Sequence, residues 1–218
     1  GGLVDMRIRF DEQLEQLNEE MINMGNMIEA SIGNAVKALM KQDEELAKKT
    51  MAGDEKIDRT ERKIEDLCLR LLLQQQPVAR DLRNISSALK MVTDMERIGD
   101  HAVNICDYTK LIEEKHIVFS DDAKQQMEEM KMICEKMFHN ISKVPEDTQE
   151  WLQKVHDSEN FIDQKTEEFY ESHLERINRG ECNDEACIIF SEMLTDFERI
   201  GDHTWNVAKQ MAKIIERG

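Results

Sequence analysis

The sequence predicts an all-α protein built as two tandem antiparallel three-helix bundles. Three observations carry that prediction. Only two prolines and nine glycines punctuate 218 residues, and 34 % of the chain is charged against 5 % aromatic, a balance that favours long helices over sheets. The phrase TDMERIGDHAVNI at residues 93–105 returns as TDFERIGDHTWNV at 195–207, 102 positions later. The few breakers are spaced so as to leave six long uninterrupted stretches.

A first helix is expected over about 8–41, and Asp43 then stands where it can cap a second over 44–76. Pro77 interrupts that run after Gln74-Gln75-Gln76, and a third helix follows over 79–115. Ser120-Asp121-Asp122 reads as an N-cap with acids in the first turn and Phe119 as a hydrophobic staple, opening a fourth helix over 121–143. Pro145 marks the next break, a fifth helix covers 148–179, and Gly180 suits a C′ position. Either Asn183 or Asp184 caps the sixth helix, 184–216. The repeats are placed at 7–115 and 120–217, joined end to end or side by side. Helices two and five also correspond: Asp54-Glu55-Lys56-Ile57-Asp58 resembles Glu159-Asn160-Phe161-Ile162-Asp163, offset by 105. The chain is thus a duplicated three-helix unit.

In the third helix, Leu82, Ile85, Leu89 and Val92 form one apolar seam. A second stripe runs through Met91, Met95, Ile98, Ala102, Ile105 and Ile112, and the sixth helix repeats it with Met193, Phe197, Ile200, Val207, Met211 and Ile214. Two stripes imply two neighbours. Leu and Met are the expected core-fillers, with Cys68 and Cys106 as small core residues.

The net charge is −17, from 46 acids against 29 bases. That argues against a protein whose main task is to grip nucleic acid, and it disfavours adsorption to anionic lipid. Five cysteines, an odd number without C-x-x-C, argue against a disulfide framework or zinc knuckle and fit a reducing compartment. With no apolar run of 18 residues and no leader pattern, the expected location is the cytoplasm.

Folding helix two onto helix three around Pro77 sets Asp58 level with Glu96 and Asp54 level with Asp100. The same construction around Gly180 pairs Asp163 with Glu198 and Glu159 with Asp202. Because residues four apart share a helix face, two carboxylate quartets are predicted: Asp54, Asp58, Glu96, Asp100, and Glu159, Asp163, Glu198, Asp202. Four like charges at close range need protons or cations to coexist, and an all-oxygen set suits Mg²⁺, Mn²⁺, Fe or Ca²⁺ better than Cu(I), while discriminating poorly against Zn²⁺ or Ni²⁺. Against this stands neutralisation by basic side chains such as Arg97 and Arg199. His101 and His203 are candidate extra ligands, hydrogen-bond donors to the carboxylates, or packing residues; Asn104 and Asn206 are candidate supporting amides or occasional ligands. Gly99 and Gly201 lie mid-helix, either for close helix approach or to make room for the clusters.

With the two R-I-G-D-H phrases and QQPVARDLR at 75–83, the chain resembles the PhoU family over essentially residues 7–217. Asp54 with Asp58, Glu96 with Asp100, Glu159 with Asp163 and Glu198 with Asp202 match that family's E(D)-x-x-x-D motifs. Pro-Val-Ala-Arg-Asp-Leu-Arg has no equivalent after Gly180, so any docking at that turn belongs to the first repeat alone. The resemblance implies regulation rather than catalysis: a negative regulator of phosphate uptake and phosphate-starvation signalling. Its implied partners are the phosphate-specific ABC transporter, through the ATPase subunit, and a sensor histidine kinase, with membrane contact only through them. It also implies multinuclear metal sites, iron foremost, with zinc, nickel, manganese or magnesium as alternatives, and a homodimer. Two other classes compete. A carboxylate-bridged di-metal enzyme would want Glu-x-x-His ligands, and the pair Glu113–His116 stands unmatched at a helix end. A metal-free scaffold with solvated acids is the other. No P-loop, glycine-rich dinucleotide turn or activated nucleophile occurs.

Overall fold

Six helices follow one another in the computed structural model, which describes residues 1–74, 77–141 and 147–217. They are α1 (Gly2–Lys41), α2 (Glu44–Gln74), α3 (Ala79–Lys115), α4 (Asp121–Ile141), α5 (Thr148–Asn178) and α6 (Asp184–Arg217). Among the described residues there is no strand, and no helix is long and apolar enough to cross a membrane. The fold class is the predicted one. α1, α2 and α3 pack mutually, α4, α5 and α6 pack mutually, and α3 lies along α6. The bundles therefore sit side by side.

Local chemistry sets the ends. Asp43 Oδ1 accepts from Leu46 N at 3.0 Å, and Ser120 Oγ accepts from Ala123 N at 3.2 Å. Asn183, rather than Asp184, caps α6: its Oδ1 accepts from Ala186 N at 2.8 Å. Gly180 adopts φ +70° after α5, the left-handed region where a Cβ is costly. The cap of α5 is Asp147, which accepts from Gln149 N and Glu150 N; the breaker expected just ahead of it, Pro145, lies outside the described residues, as do the last two residues expected of each of helices two and four.

Two differences from the sequence reading have physical causes. α1 begins at Gly2, about a turn and a half earlier than expected, because residues 2–9 are helical yet exposed and carry no core-facing pattern; burial starts at Phe10. α3 has three neighbours, α1, α2 and α6, where two stripes implied two. It is buried round much of its circumference, so its apolar residues spread beyond tidy stripes. Leu82, at the end of the predicted seam, is correspondingly exposed, while Ile85 and Val92 are fully buried. The core runs through both bundles, and isoleucine, with methionine, fills it more than leucine does; Cys68 and Cys106 are fully buried within it.

Candidate metal centres and the seam between the bundles

The α2–α3 hairpin places Asp54, Asp58, Glu96 and Asp100 together. Oxygens of Asp58, Glu61 and Glu96 lie within 4.8 Å of one another. Asp54 is held up to about 6 by burial first, then by the charges of Asp58 and Asp100. Its Oδ1 is buried without a hydrogen-bond partner. Glu96 is pushed up to about 7 by burial, by a hydrogen bond with Asp100 and by the charges of Asp100, Glu61 and Asp58. Glu61 reaches about 7 through burial and its neighbour Glu65. These last two acids are additions to the predicted quartet. The signal was present, since Glu61 stands seven residues from Asp54 and three from Asp58, on the same helix face.

The α5–α6 hairpin repeats the arrangement with fewer acids. Oxygens of Glu159, Asp163 and Asp202 lie within 4.8 Å of one another, and Glu198 feels the charges of Asp163 and Asp202. Glu159, buried, is raised to about 8 by burial and by its hydrogen bonds with Asp202 and Asp163. Burial also raises Asp163 and Glu198, with Arg199 lowering Glu198 in part. In the register that aligns Asp54 with Glu159, Glu61 becomes Thr166 and Glu65 becomes Tyr170. Thr166 is buried, and its Oγ1 has no hydrogen-bond partner.

Among the described residues, none of these carboxylates forms a salt bridge with a lysine or arginine. The neutralising alternative, Arg97 and Arg199, therefore makes no such contact. Clustered, partly desolvated carboxylates with an orphaned buried oxygen fit a hard or borderline cation, whose charge would cancel theirs. Gly99 serves both purposes considered for it: a Cβ there would stand 3.3 Å from Asp54 Oδ1 and from Ile28 Cδ1. At Gly201 the nearest obstruction is Ile162, 3.1 Å at Cδ1, so that position serves close helix packing.

The histidines and asparagines of the repeated phrase work elsewhere. His101 Nδ1 lies 2.7 Å from Asp196 Oδ1, and Asn104 donates to the same oxygen at 3.2 Å. The Tyr108 hydroxyl donates to Asp196 Oδ2. Reciprocally, His203 Nδ1 lies 2.9 Å from Asp94 Oδ1, and Asn206 donates to it at 3.4 Å. The two imidazoles stack, centroids 5.8 Å apart. His101, Asn104, His203 and Asn206 are thus hydrogen-bond donors to carboxylates, but to Asp196 and Asp94 of the opposite bundle rather than to the clusters. The asparagines, candidate supporting amides for the clusters, reach Asp196 and Asp94 instead. Each phrase therefore does two jobs: Glu96–Asp100 and Glu198–Asp202 face the hairpin partner, while Asp94–His101–Asn104 and Asp196–His203–Asn206 lock antiparallel α3 to α6. Asp94 and Asp196 were legible as a pair, seven residues before each histidine. Glu113–His116 stays at the C-terminal end of α3, where His116 is the left-handed cap residue, roughly 20 Å along the helix from Asp100 at 1.5 Å per residue.

Fold and site define a class: an all-α protein of two pseudo-equivalent three-helix bundles, each with a carboxylate cluster between its second and third helices. The family model for the PhoU domain matches residues 21–109 and again 127–211. A phosphate-specific transport system accessory protein PhoU homolog of Clostridium acetobutylicum is 32 % identical over 209 residues, covering 94 % of each chain. The crystal structure of PhoU from Pseudomonas aeruginosa superposes with a TM-score of 0.87 at 26 % identity, covering 95 % of this chain and 99 % of that one. That of the phosphate transport system regulatory protein PhoU from Streptococcus pneumoniae gives 0.81 at 20 % identity, over 94 % and 96 %, a likeness of fold. This chain belongs to the PhoU family.

Proposed function

We propose that this protein is a cytoplasmic, metal-binding regulatory accessory protein of a phosphate-specific transport system. It acts as a negative regulator, not an enzyme, restraining uptake and starvation signalling through the ATPase subunit of the phosphate ABC transporter and a sensor histidine kinase. The role named for the Clostridium relative, matched over 94 % of its length, supports the transport assignment. The observation that carries the metal assignment is the pair of carboxylate clusters that, among the described residues, form no salt bridge with lysine or arginine, the first with the orphaned Asp54 Oδ1 inside it.

In the first centre Asp54, Asp58, Glu61, Glu96 and Asp100 would hold the ions; in the second, Glu159, Asp163, Glu198 and Asp202. Bound cations would supply the positive charge that lets these groups ionise together. The first set, with more carboxylates, has capacity for a multinuclear group. Iron leads on the resemblance, and zinc, nickel, manganese or magnesium suit the same oxygens. Leu69, Leu73, Val78 and Leu82 are exposed near the first repeat's tip, and a homodimer or the transporter would cover them.

Deleting the gene from its host should switch on phosphate-starvation genes in phosphate-rich medium, and restoring the wild-type chain should silence them. Unchanged expression in the deletion strain, together with failure of the purified chain to associate with the ATPase subunit, would reject the reading.

A further inference from the structure

A third group of metal-binding side chains lies outside both carboxylate clusters, at the α5–α6 turn. His173 on α5 is 2 % exposed, and its Nδ1 has no hydrogen-bond partner. Cys182 stands in the loop between Gly180 and the Asn183 cap, and Cys187 in the first turns of α6. A ring nitrogen of His173, Cys182 Sγ and Cys187 Sγ lie within 4.8 Å of one another. Both cysteines are free thiols.

We propose that His173, Cys182 and Cys187 form a binding site for a thiophilic divalent cation, Zn²⁺ above all, separate in place and in chemistry from the carboxylate centres. A tetrahedral ion with bonds of about 2.3 Å to sulfur and 2.0–2.1 Å to nitrogen spaces its ligand atoms by roughly 3.5–3.8 Å. The three atoms here are within about one ångström of that spacing, which side-chain rotation supplies. The imidazole is already desolvated. Ring position is fixed by Phe190, 5.0 Å between centroids, and by a hydrogen bond with the Cys187 backbone; burial followed by the Arg176 charge outweighs that bond and holds the imidazole below its ordinary value. On binding, Zn²⁺ replaces the two thiol protons, which pass to water. Two thiolates leave the bound ion without net charge, so the buried Arg176, tied to Gln126 Oε1 at 3.1 Å, does not oppose it. A cavity of about 20 Å³ bordered by Phe119, Ser120, Glu181 and Cys182 adjoins His173, room for the single water that would complete four-coordination.

Among its described residues the first repeat has no such site. At the positions aligned with His173 and Cys187 it carries Cys68 and Ile85, both fully buried. Metal at the second turn would clamp the loop to α5 in one repeat only.

The test uses reduced, chelator-treated full-length protein titrated with Co²⁺ and then Zn²⁺. One equivalent of Co²⁺ should give thiolate-to-metal charge-transfer absorption, which Zn²⁺ abolishes. The band should survive Glu96→Ala with Asp100→Ala, and should vanish in Cys182→Ser and in Cys187→Ser, with helicity by circular dichroism unchanged. Cys182 is only partly buried, so its variant folds even if Cys187→Ser does not. Absence of the band at several equivalents of Co²⁺, or its persistence in Cys182→Ser, would overturn the site. So would a Cys182–Cys187 disulfide that forms in air as fast with Zn²⁺ as without it. None of these results bears on the carboxylate centres.

Discussion

Asp196 accepts hydrogen bonds from His101, Asn104 and Tyr108 and is buried, whereas its counterpart Asp94 accepts from His203 and Asn206 at the rim. Leaving buried donors unsatisfied costs about 1–3 kcal/mol each. Asp196→Ala is therefore expected to lower stability by about 3 kcal/mol and Asp94→Ala by about 1 kcal/mol. Urea denaturation checks this; equal losses would mean that the extra Tyr108 bond and the deeper burial of Asp196 add nothing to the seam. Asp54 makes the opposite case. Its Oδ1 has no partner and its carboxyl is held up to about 6 by burial and neighbouring charge. Asp54→Asn keeps the shape and removes the charge, so it should raise the melting temperature of chelated protein at pH 8 and reduce the stabilisation that added metal gives. A lower melting temperature without metal would show that this carboxylate is already satisfied.

At the scale of the elements, each α-hairpin carries a pH signature. Glu159 sits near 8 and Glu61 and Glu96 near 7 in the folded chain, each against an ordinary 4.5. The folded state thus holds more protons than the unfolded state between about pH 4.5 and pH 8. Stability of the metal-free protein must fall as pH rises through that window and level off above it. Differential scanning calorimetry on chelated protein should show this decline, flattened in Glu159→Gln; a melting temperature that climbs from pH 5 to 8 would contradict the clustering. At the α5 terminus, Gly180→Ala should cost about 1 kcal/mol, because φ +70° burdens any Cβ. Much of this was legible in the sequence. Asp43, Ser120 and Gly180 announce their roles through side-chain chemistry local to a turn, and turn symmetry alone brought Asp58 level with Glu96. Glu61 and Glu65 escaped because one i,i+4 pair satisfied the pattern and the same face was not followed for another turn. The roles of His101 and His203 escaped for a different reason. Each pairs with an aspartate about a hundred residues away on the other bundle, and no local spacing encodes which way two bundles turn towards each other.

For the whole molecule, duplication has produced two hairpins with different acid counts, joined by an antiparallel seam that the duplicated phrase itself supplies. Glu61 and Glu65 in the first repeat against Thr166 and Tyr170 in the second predict unequal metal capacity, so Glu96→Ala with Asp100→Ala should remove a larger share of bound metal than Glu198→Ala with Asp202→Ala. The most direct measurement of the central claim is elemental analysis of protein purified without chelator, beside the variant carrying all four alanines. The account predicts two or more equivalents of a transition metal in the wild type, lost from a variant of unchanged helicity, except for up to one zinc held by His173, Cys182 and Cys187. Wild-type protein that is folded and free of metal, or a variant with undiminished metal, would contradict it.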